Sequence, residues 1–273
     1  MCVTSPPYYG LRDYGGEEAQ IGQEQTPEEF IDNLVSVFRE VRDVLKDDGV
    51  LWVNIGDSYY NYRPGTGGLP KQTVSRTSQD LPEQCNRRAN KLDGLKEKDM
   101  IGIPWMLAFA LRADGWYLRQ DIIWHKPNPM PESVKDRCTK SHEYIFLLSK
   151  NKKYYYDNEA IKEPVKQDWG KRDRTGGKYH NPGTGLQPHS GLSKSYERKN
   201  KRDVWSVTNK PYKGAHFACF PPDLIEPCIL AGSREGDVIL DPFMGSGTTA
   251  MVAKQHDRHY IGCELHEDYG SLI

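Results

Sequence analysis

The stretch Asp241-Pro242-Phe243-Met244-Gly245-Ser246-Gly247-Thr248-Thr249 constrains the fold of this 273-residue chain more than any other. An apolar run, Val238-Ile239-Leu240, precedes it, and a helix-compatible run from Ala250 to Lys254 follows. A buried strand ending in an acid, then a glycine turn, then a helix start is the opening of a nucleotide-binding βαβ unit. Gly245 and Gly247 let the backbone turn sharply and approach a ligand with no Cβ in the way. Ser246, Thr248 and Thr249 are expected to cap the helix and to offer N–H groups to an anionic group. A second apolar strand, Tyr260-Ile261-Gly262-Cys263-Glu264, ends in an acid where such folds hold ribose hydroxyls. No G-K-[ST] follows the glycines, so this is not a Walker loop. Position 250 is Ala, which breaks the G-x-G-x-x-G of dinucleotide-binding enzymes.

The rest of the chain supplies the other layers. Thr26, Pro27 and Glu29 form a helix start with a capping box. Phe30, Leu34, Val37, Val41 and Val44 follow as an apolar stripe that Gly49 brings to an end. Val50-Leu51-Trp52-Val53-Asn54-Ile55 reads as a buried strand, so strand, helix and strand make a parallel unit. A helix from Pro104 to Asp114 presents Trp105, Leu107, Ala108 and Leu111. Strands at Tyr117–Trp124 and Tyr144–Leu148 lie close enough for an antiparallel edge hairpin. Leu224, Ile225, Cys228 and Ile229 mark one further apolar helix face after Phe220-Pro221-Pro222. Residues 63–98 lack periodicity and read as a mobile insertion.

The net charge of -1 hides an asymmetry. Residues 1–62 hold four Lys/Arg against twelve Asp/Glu, while residues 162–213 hold thirteen against five. A basic excess confined to one segment and mixed with Tyr, Trp, His and Gly is the footprint of a phosphate-contacting surface. The six cysteines form no C-x-x-C pair, so they read as reduced thiols of a cytoplasmic protein. No run of eighteen apolar residues exists, and no signal-peptide pattern opens the chain.

At the start of the chain stands Thr4-Ser5-Pro6-Pro7-Tyr8. With Phe243-Met244-Gly245-Ser246-Gly247 it resembles the S-adenosyl-L-methionine-dependent amino-methyltransferases of DNA. That family holds its cofactor on an F-x-G-x-G loop and its target base on a [DNS]-P-P-[YF] tetrad. The tetrad comes first and the cofactor loop last, which resembles the family's permuted beta order. The resemblance implies a Rossmann-like α/β three-layer sandwich with a mostly parallel sheet and an antiparallel edge hairpin. It implies a catalytic half over 1–150, a target-recognition region over 151–213 and a cofactor half over 214–273. Against the family pattern both ends look trimmed.

The implied roles follow residue by residue. Ser5, Pro6, Pro7 and Tyr8 form the base pocket. Thr4, Phe220, Pro221, Asp241, Phe243, Gly245, Ser246, Gly247, Thr248, Thr249 and Glu264 hold the cofactor. Lys126, Lys171, Arg172, Arg174, Lys178, Arg198 and Lys199 face DNA, and no metal is required. Asp57, at the same strand edge as Ser5, is expected to orient the tetrad. An exocyclic amine is a poor nucleophile because its lone pair is delocalised into the ring. Ser5 Oγ and the Pro6 carbonyl are placed to accept its N–H groups, and Tyr8 to stack on a flipped base. A serine at the head of the tetrad points to cytosine N4, with adenine N6 as the alternative. Cys228 follows a proline as the nucleophile of C5-cytosine methyltransferases does, yet its apolar helix face marks it as a core thiol. A DNA-binding remnant without catalysis is the reading from another class, and intact glycines and tetrad argue against it. Double-stranded DNA is the implied partner; a cognate restriction endonuclease and a homodimer stay open.

Overall fold

The structure, a computed structural model, describes residues 1–10, 20–60, 94–165, 197–209 and 220–265. Its strands are β1 (Cys2–Thr4), β2 (Val50–Ile55), β3 (Tyr117–His125), β4 (His142–Ser149), β5 (Glu163–Pro164), β6 (Arg198–Lys199), β7 (Val204–Ser206), β8 (Val238–Asp241) and β9 (His259–Gly262). Its helices are α1 (Pro27–Val44), α2 (Ile103–Ala113), α3 (Pro222–Gly232) and α4 (Thr248–Gln255). Seven strands form one sheet in the order β7-β3-β4-β2-β1-β8-β9, and β5 pairs with β6 in a small ribbon. β4 runs antiparallel to both β2 and β3, while the other neighbours in the sheet are parallel. The predicted hairpin is thus present on one flank, with the three-residue β7 added outside it.

Burial explains why β2 is apolar at nearly every position: all six of its residues are covered. Leu51, Val53 and Ile55 face α1 and α2, in one core with Phe30, Leu34, Phe38, Leu107 and Leu111. Val50 and Trp52 face the other way, in a second core with Leu224, Ile225, Cys228, Ile229, Val252 and Ala253. Alternate residues of one strand therefore serve two helical layers, which makes a three-layer sandwich.

Local signals held with adjustments. Thr26 accepts from the Glu29 N–H and Glu29 returns a bond to the Thr26 N–H, so the predicted capping box forms. The buried stripe of α1 is Phe30, Leu34, Phe38 and Val41 with Ile31 and Val35. Val37 is only half-buried and Val44 is exposed. Steps of four from Phe30 stay on the face toward α2, and Val37 and Val44 lie off that line. α1 ends at Val44, capped by Leu45, ahead of Gly49, which closes the following turn onto Lys46 O at 2.8 Å. Asp57 does not orient the tetrad. Its Oδ1 accepts from Gly102 N and Ile103 N, both at 3.0 Å, so it satisfies the exposed donors at the start of α2. The insertion proposed for 63–98 falls mostly outside the described residues.

Candidate active site

The connection of β1 through α1 leads to β2 on one side, and that of β8 through α4 leads to β9 on the other. The sheet therefore has its topological switch point between β1 and β8. Open α/β sheets bind ligands at such a crevice, beyond the carboxyl ends of the strands. The tetrad leaves β1 there and the glycine loop leaves β8 there.

One buried carboxylate joins the two halves. Asp241 Oδ1 accepts from Thr4 Oγ1 at 2.6 Å and from Phe243 N at 3.0 Å, while Oδ2 accepts from Thr249 Oγ1 at 2.5 Å. Thr4, Asp241 and Thr249 are all buried. Residues 237 positions apart are thus one hydrogen bond apart. Burial raises the Asp241 carboxyl to about 6, against the bonds from Thr249 and Thr4 that lower it. A raised carboxyl means that the native state holds the proton more tightly. Its contribution is most favourable below the unfolded value near 4 and is lost as pH rises through about 6. Relative to Asp241→Asn, which does not titrate, wild-type stability is expected to rise by about 2–3 kcal/mol between pH 7 and pH 4. Chemical denaturation of both proteins across that range measures it.

The loop after Asp241 turns on Gly245 (φ 54) and Gly247 (φ 79), both in the left-handed region. Gly247 itself opens α4, and no side-chain hydroxyl caps that helix. The capping expected of Ser246, Thr248 and Thr249 is therefore not what these hydroxyls do; Thr249 points to Asp241 instead. Glu264 lies two residues past β9, and its Oε2 accepts from Gly245 N at 2.7 Å. Met244 N closes the loop onto Cys263 O at 2.9 Å. A carboxylate, a half-buried Phe243 ring and a glycine turn lie side by side, an acceptor, an apolar face and open backbone that fit a ribose and a flat heterocycle. Phe220 packs on the second core, and buried Pro221 sets the start of α3.

Around the tetrad the side chains form a network. Ser5 Oγ donates to Asn54 Oδ1 at 3.3 Å. Tyr8 OH donates to Glu143 Oε2 at 2.6 Å and lies 3.4 Å from Asn54 Oδ1. Asn54 Nδ2 donates to Tyr144 O at 3.1 Å and to Glu143 Oε2 at 3.4 Å. Lys126 Nζ pairs with Glu143 Oε1 and sits 4.2 Å from the centre of the Trp124 ring. Burial, then the charge of Glu143, pushes the Tyr8 phenol well above its usual range, so it stays a neutral donor. Pro6 is buried, and Ser5, Pro7 and Tyr8 are half-buried at the sheet edge. Asn54 and Glu143 were not singled out in the sequence. The signal for Asn54 was an amide inside an otherwise apolar strand. Glu143 gave none, since an acid at a strand start is ordinary.

The remaining expectations separate by place. Lys126 turns inward to Glu143 rather than outward. Arg198 donates to Lys162 O at 3.0 Å, and Lys199 lies 4.0 Å from Glu163, so both belong to the β5–β6 ribbon. Lys171, Arg172, Arg174 and Lys178 lie outside the described residues. Cys228 is buried, with Sγ against Leu224 O, and burial raises its thiol above the usual range. That is a core thiol, as its helix face implied. Replacing it with Ala is expected to cost about 1 kcal/mol of stability and leave catalytic turnover within twofold, as a melting curve beside an activity assay would show. Among the described residues no group of His, Cys, Asp and Glu is arranged to hold a metal, and no helix is long and apolar enough to cross a membrane.

Comparison with known proteins agrees with this geometry. A family model described as DNA methylase, of the N6/N4 type, matches residues 1–273. A Type II methyltransferase from Serratia marcescens, M.SmaI, is 50% identical over 275 residues, covering 99% of this chain and 81% of its own. The Type II methyltransferase M.Cfr9I of Citrobacter freundii is 49% identical over 267 residues, covering 98% and 77%. Among solved structures, the PvuII DNA methyltransferase (cytosine-N4-specific) superposes with a TM-score of 0.62 at 18% identity, covering 99% of this chain and 77% of that one. A putative DNA modification methylase from Thermus thermophilus, complexed with S-adenosyl-L-methionine, gives 0.58 at 23%, covering 99% and 82%. With the whole chain matched and about half of its residues shared with relatives that it covers to about four fifths, this protein belongs to the N6/N4 DNA methylase family.

Proposed function

We propose that this chain transfers a methyl group from S-adenosyl-L-methionine to the exocyclic N4 of a cytosine turned out of duplex DNA. The observation that carries this reading is the hydrogen bond between Thr4 and Asp241. It holds Ser5, the next residue, beside the glycine loop, so a base amine on the tetrad and a cofactor on the loop share one crevice. The name of the PvuII enzyme supports cytosine N4, as does serine at the head of the tetrad. The Type II names of the relatives support a place in a restriction–modification pair, with a cognate endonuclease as its functional partner.

The bound cofactor supplies an electrophilic sulfonium methyl. The chain's residues do the rest. Phe243, Gly245, Ser246, Gly247 and Thr248 shape the cofactor loop, with Phe220 and Pro221 beside it. Glu264 takes the ribose end, and Asp241, Thr4 and Thr249 hold the loop in register with the tetrad. Ser5 Oγ and the Pro6 carbonyl accept the two N–H groups of the amine and localise its lone pair toward the methyl. The Tyr8 ring offers a stacking face. Once the new N–C bond has formed the nitrogen is strongly acidic, so its proton leaves to solvent without a strong base. The basic excess of residues 162–213, with Arg198 and Lys199 at its described end, supplies phosphate contacts.

Transfer of tritium from methyl-labelled S-adenosyl-L-methionine tests the substrate class. Label is expected in duplex DNA. Label in RNA or protein with none in DNA would refute the proposal.

A further inference from the structure

We propose that Glu143 is a positioning residue that sets the hydrogen-bond polarity of the base pocket, so that the wall presents acceptors alone and admits an amino group. The inference rests on reading the tetrad as the base pocket. It follows from counting hydrogens.

A hydroxyl has one hydrogen to give. That of Ser5 goes inward to Asn54 Oδ1, and that of Tyr8 goes inward to Glu143 Oε2. Neither hydroxyl therefore keeps a hydrogen for the crevice, and Ser5 Oγ has lone pairs left to accept. Pro6 and Pro7 have no N–H, so the middle of the tetrad adds no backbone donor to the wall. The direction of the Ser5 hydrogen depends on which way the Asn54 amide is turned. Its nitrogen lies 3.1 Å from Tyr144 O and 3.4 Å from Glu143 Oε2, and neither can donate. The nitrogen must face them, and the oxygen must face Ser5.

Glu143 closes the chain of bonds. A carboxylate accepts and never donates. Oε2 takes Tyr8 and Asn54, while Oε1 takes Lys126, so both oxygens are committed. Lys126 carries three donors and no acceptor, so against it Glu143 Oε1 can only accept. The inward pairing of Lys126, unexpected for a residue assigned to DNA, has its explanation here.

Glu143→Gln is nearly isosteric but reverses part of this polarity. Lys126 would draw the new amide oxygen to itself, leaving the amide N–H groups toward Tyr8 and Asn54. The Tyr8 oxygen would then accept, and its hydrogen would turn to Asn54 Oδ1, 3.4 Å away, where it competes with that of Ser5 and frees a hydroxyl hydrogen toward the crevice. Asn54 would also lose one of the two acceptors that orient it. A wall with a donor no longer distinguishes an amine from a carbonyl.

The test compares the target base with its deaminated counterpart, uracil for cytosine or hypoxanthine for adenine, so it does not depend on which base is the substrate. The methylated site is first mapped in DNA treated with the wild-type protein. Duplexes carrying either base at that position are then titrated with sinefungin, a non-reactive cofactor analogue, present. The extra ease of opening a mismatched pair is the same for every variant and cancels from the comparison. Wild type is expected to prefer the amino base by roughly tenfold over the value for Glu143→Gln, in which the preference approaches that of the bare duplexes. Calorimetry with S-adenosyl-L-methionine and a melting curve check that the variant is folded. Glu143→Ser, which lets water into the site, predicts the same loss and serves if the glutamine variant does not fold. An undiminished preference in the folded variants would overturn the inference while leaving the methyltransferase reading intact. No methylated base from the wild-type protein would overturn both together.

Discussion

Ser5→Ala is expected to lower the rate of methyl transfer by roughly 100-fold or more while leaving affinity for S-adenosyl-L-methionine within about twofold. The split follows from where Ser5 sits. It is half-buried at the mouth of the crevice and donates to Asn54, on the tetrad side of the site. The cofactor loop is held by its neighbour, through Thr4 Oγ1 on Asp241, and an alanine at position 5 does not touch that bond. Removing the hydroxyl takes away an acceptor that acts on the amine as positive charge develops on it. A fixed acceptor at such a point is worth about 3 kcal/mol in comparable sites. Single-turnover transfer assays beside calorimetry with the cofactor measure the two halves of the prediction. Equal losses in rate and cofactor affinity would show that Ser5 supports the loop instead.

The second large effect is expected at a glycine that no sequence motif points to. A Cβ built on Gly56 would lie 2.6 Å from Tyr8 Cε2 and 3.3 Å from two further ring atoms. Those atoms belong to a ring held in place by its hydroxyl on Glu143, so it cannot swing aside freely. Gly56→Ala must therefore displace the tyrosine or the end of β2. Overpacking of this kind costs about 1–3 kcal/mol. The predicted result is a loss of roughly tenfold or more in transfer rate, with a lower melting temperature and cofactor affinity unchanged. Tyr8→Phe in the same background separates the causes. If the ring is pushed out by its tether, removing the hydroxyl lets it relax and part of the activity returns.

How much of this was legible in the chain depends on range. The capping box at Thr26 and Glu29, the strand–glycine–helix of 238–255 and the two-faced strand 50–55 are local patterns, and each took the expected form. Motif spacing also brought Ser5 and Gly245 to one crevice, because parallel βα units place their loops on one edge of the sheet. What stayed hidden involves a third element. Asp241, expected among the cofactor residues, also accepts from Thr4, Phe243 and Thr249, a bond set that spans 237 positions. Asp57 looked like a partner of the tetrad and is consumed by the start of α2. Lys126 looked like a phosphate contact and meets Glu143, seventeen residues on, only because β3 and β4 pair. In each case the residue type announced a strong acceptor or donor, and the partner was fixed by strand order.

The measurement that bears most directly on the whole account is mass spectrometry of the nucleosides released from unmodified DNA after treatment with the protein and S-adenosyl-L-methionine. N4-methylcytosine is the predicted product. N6-methyladenine would move the target to the other base while keeping the amine-accepting pocket of Ser5 and Pro6. A methyl on carbon 5 of cytosine would contradict the account. That reaction needs a thiolate against the ring, and Cys228 lies buried in the core with its thiol held in the neutral form.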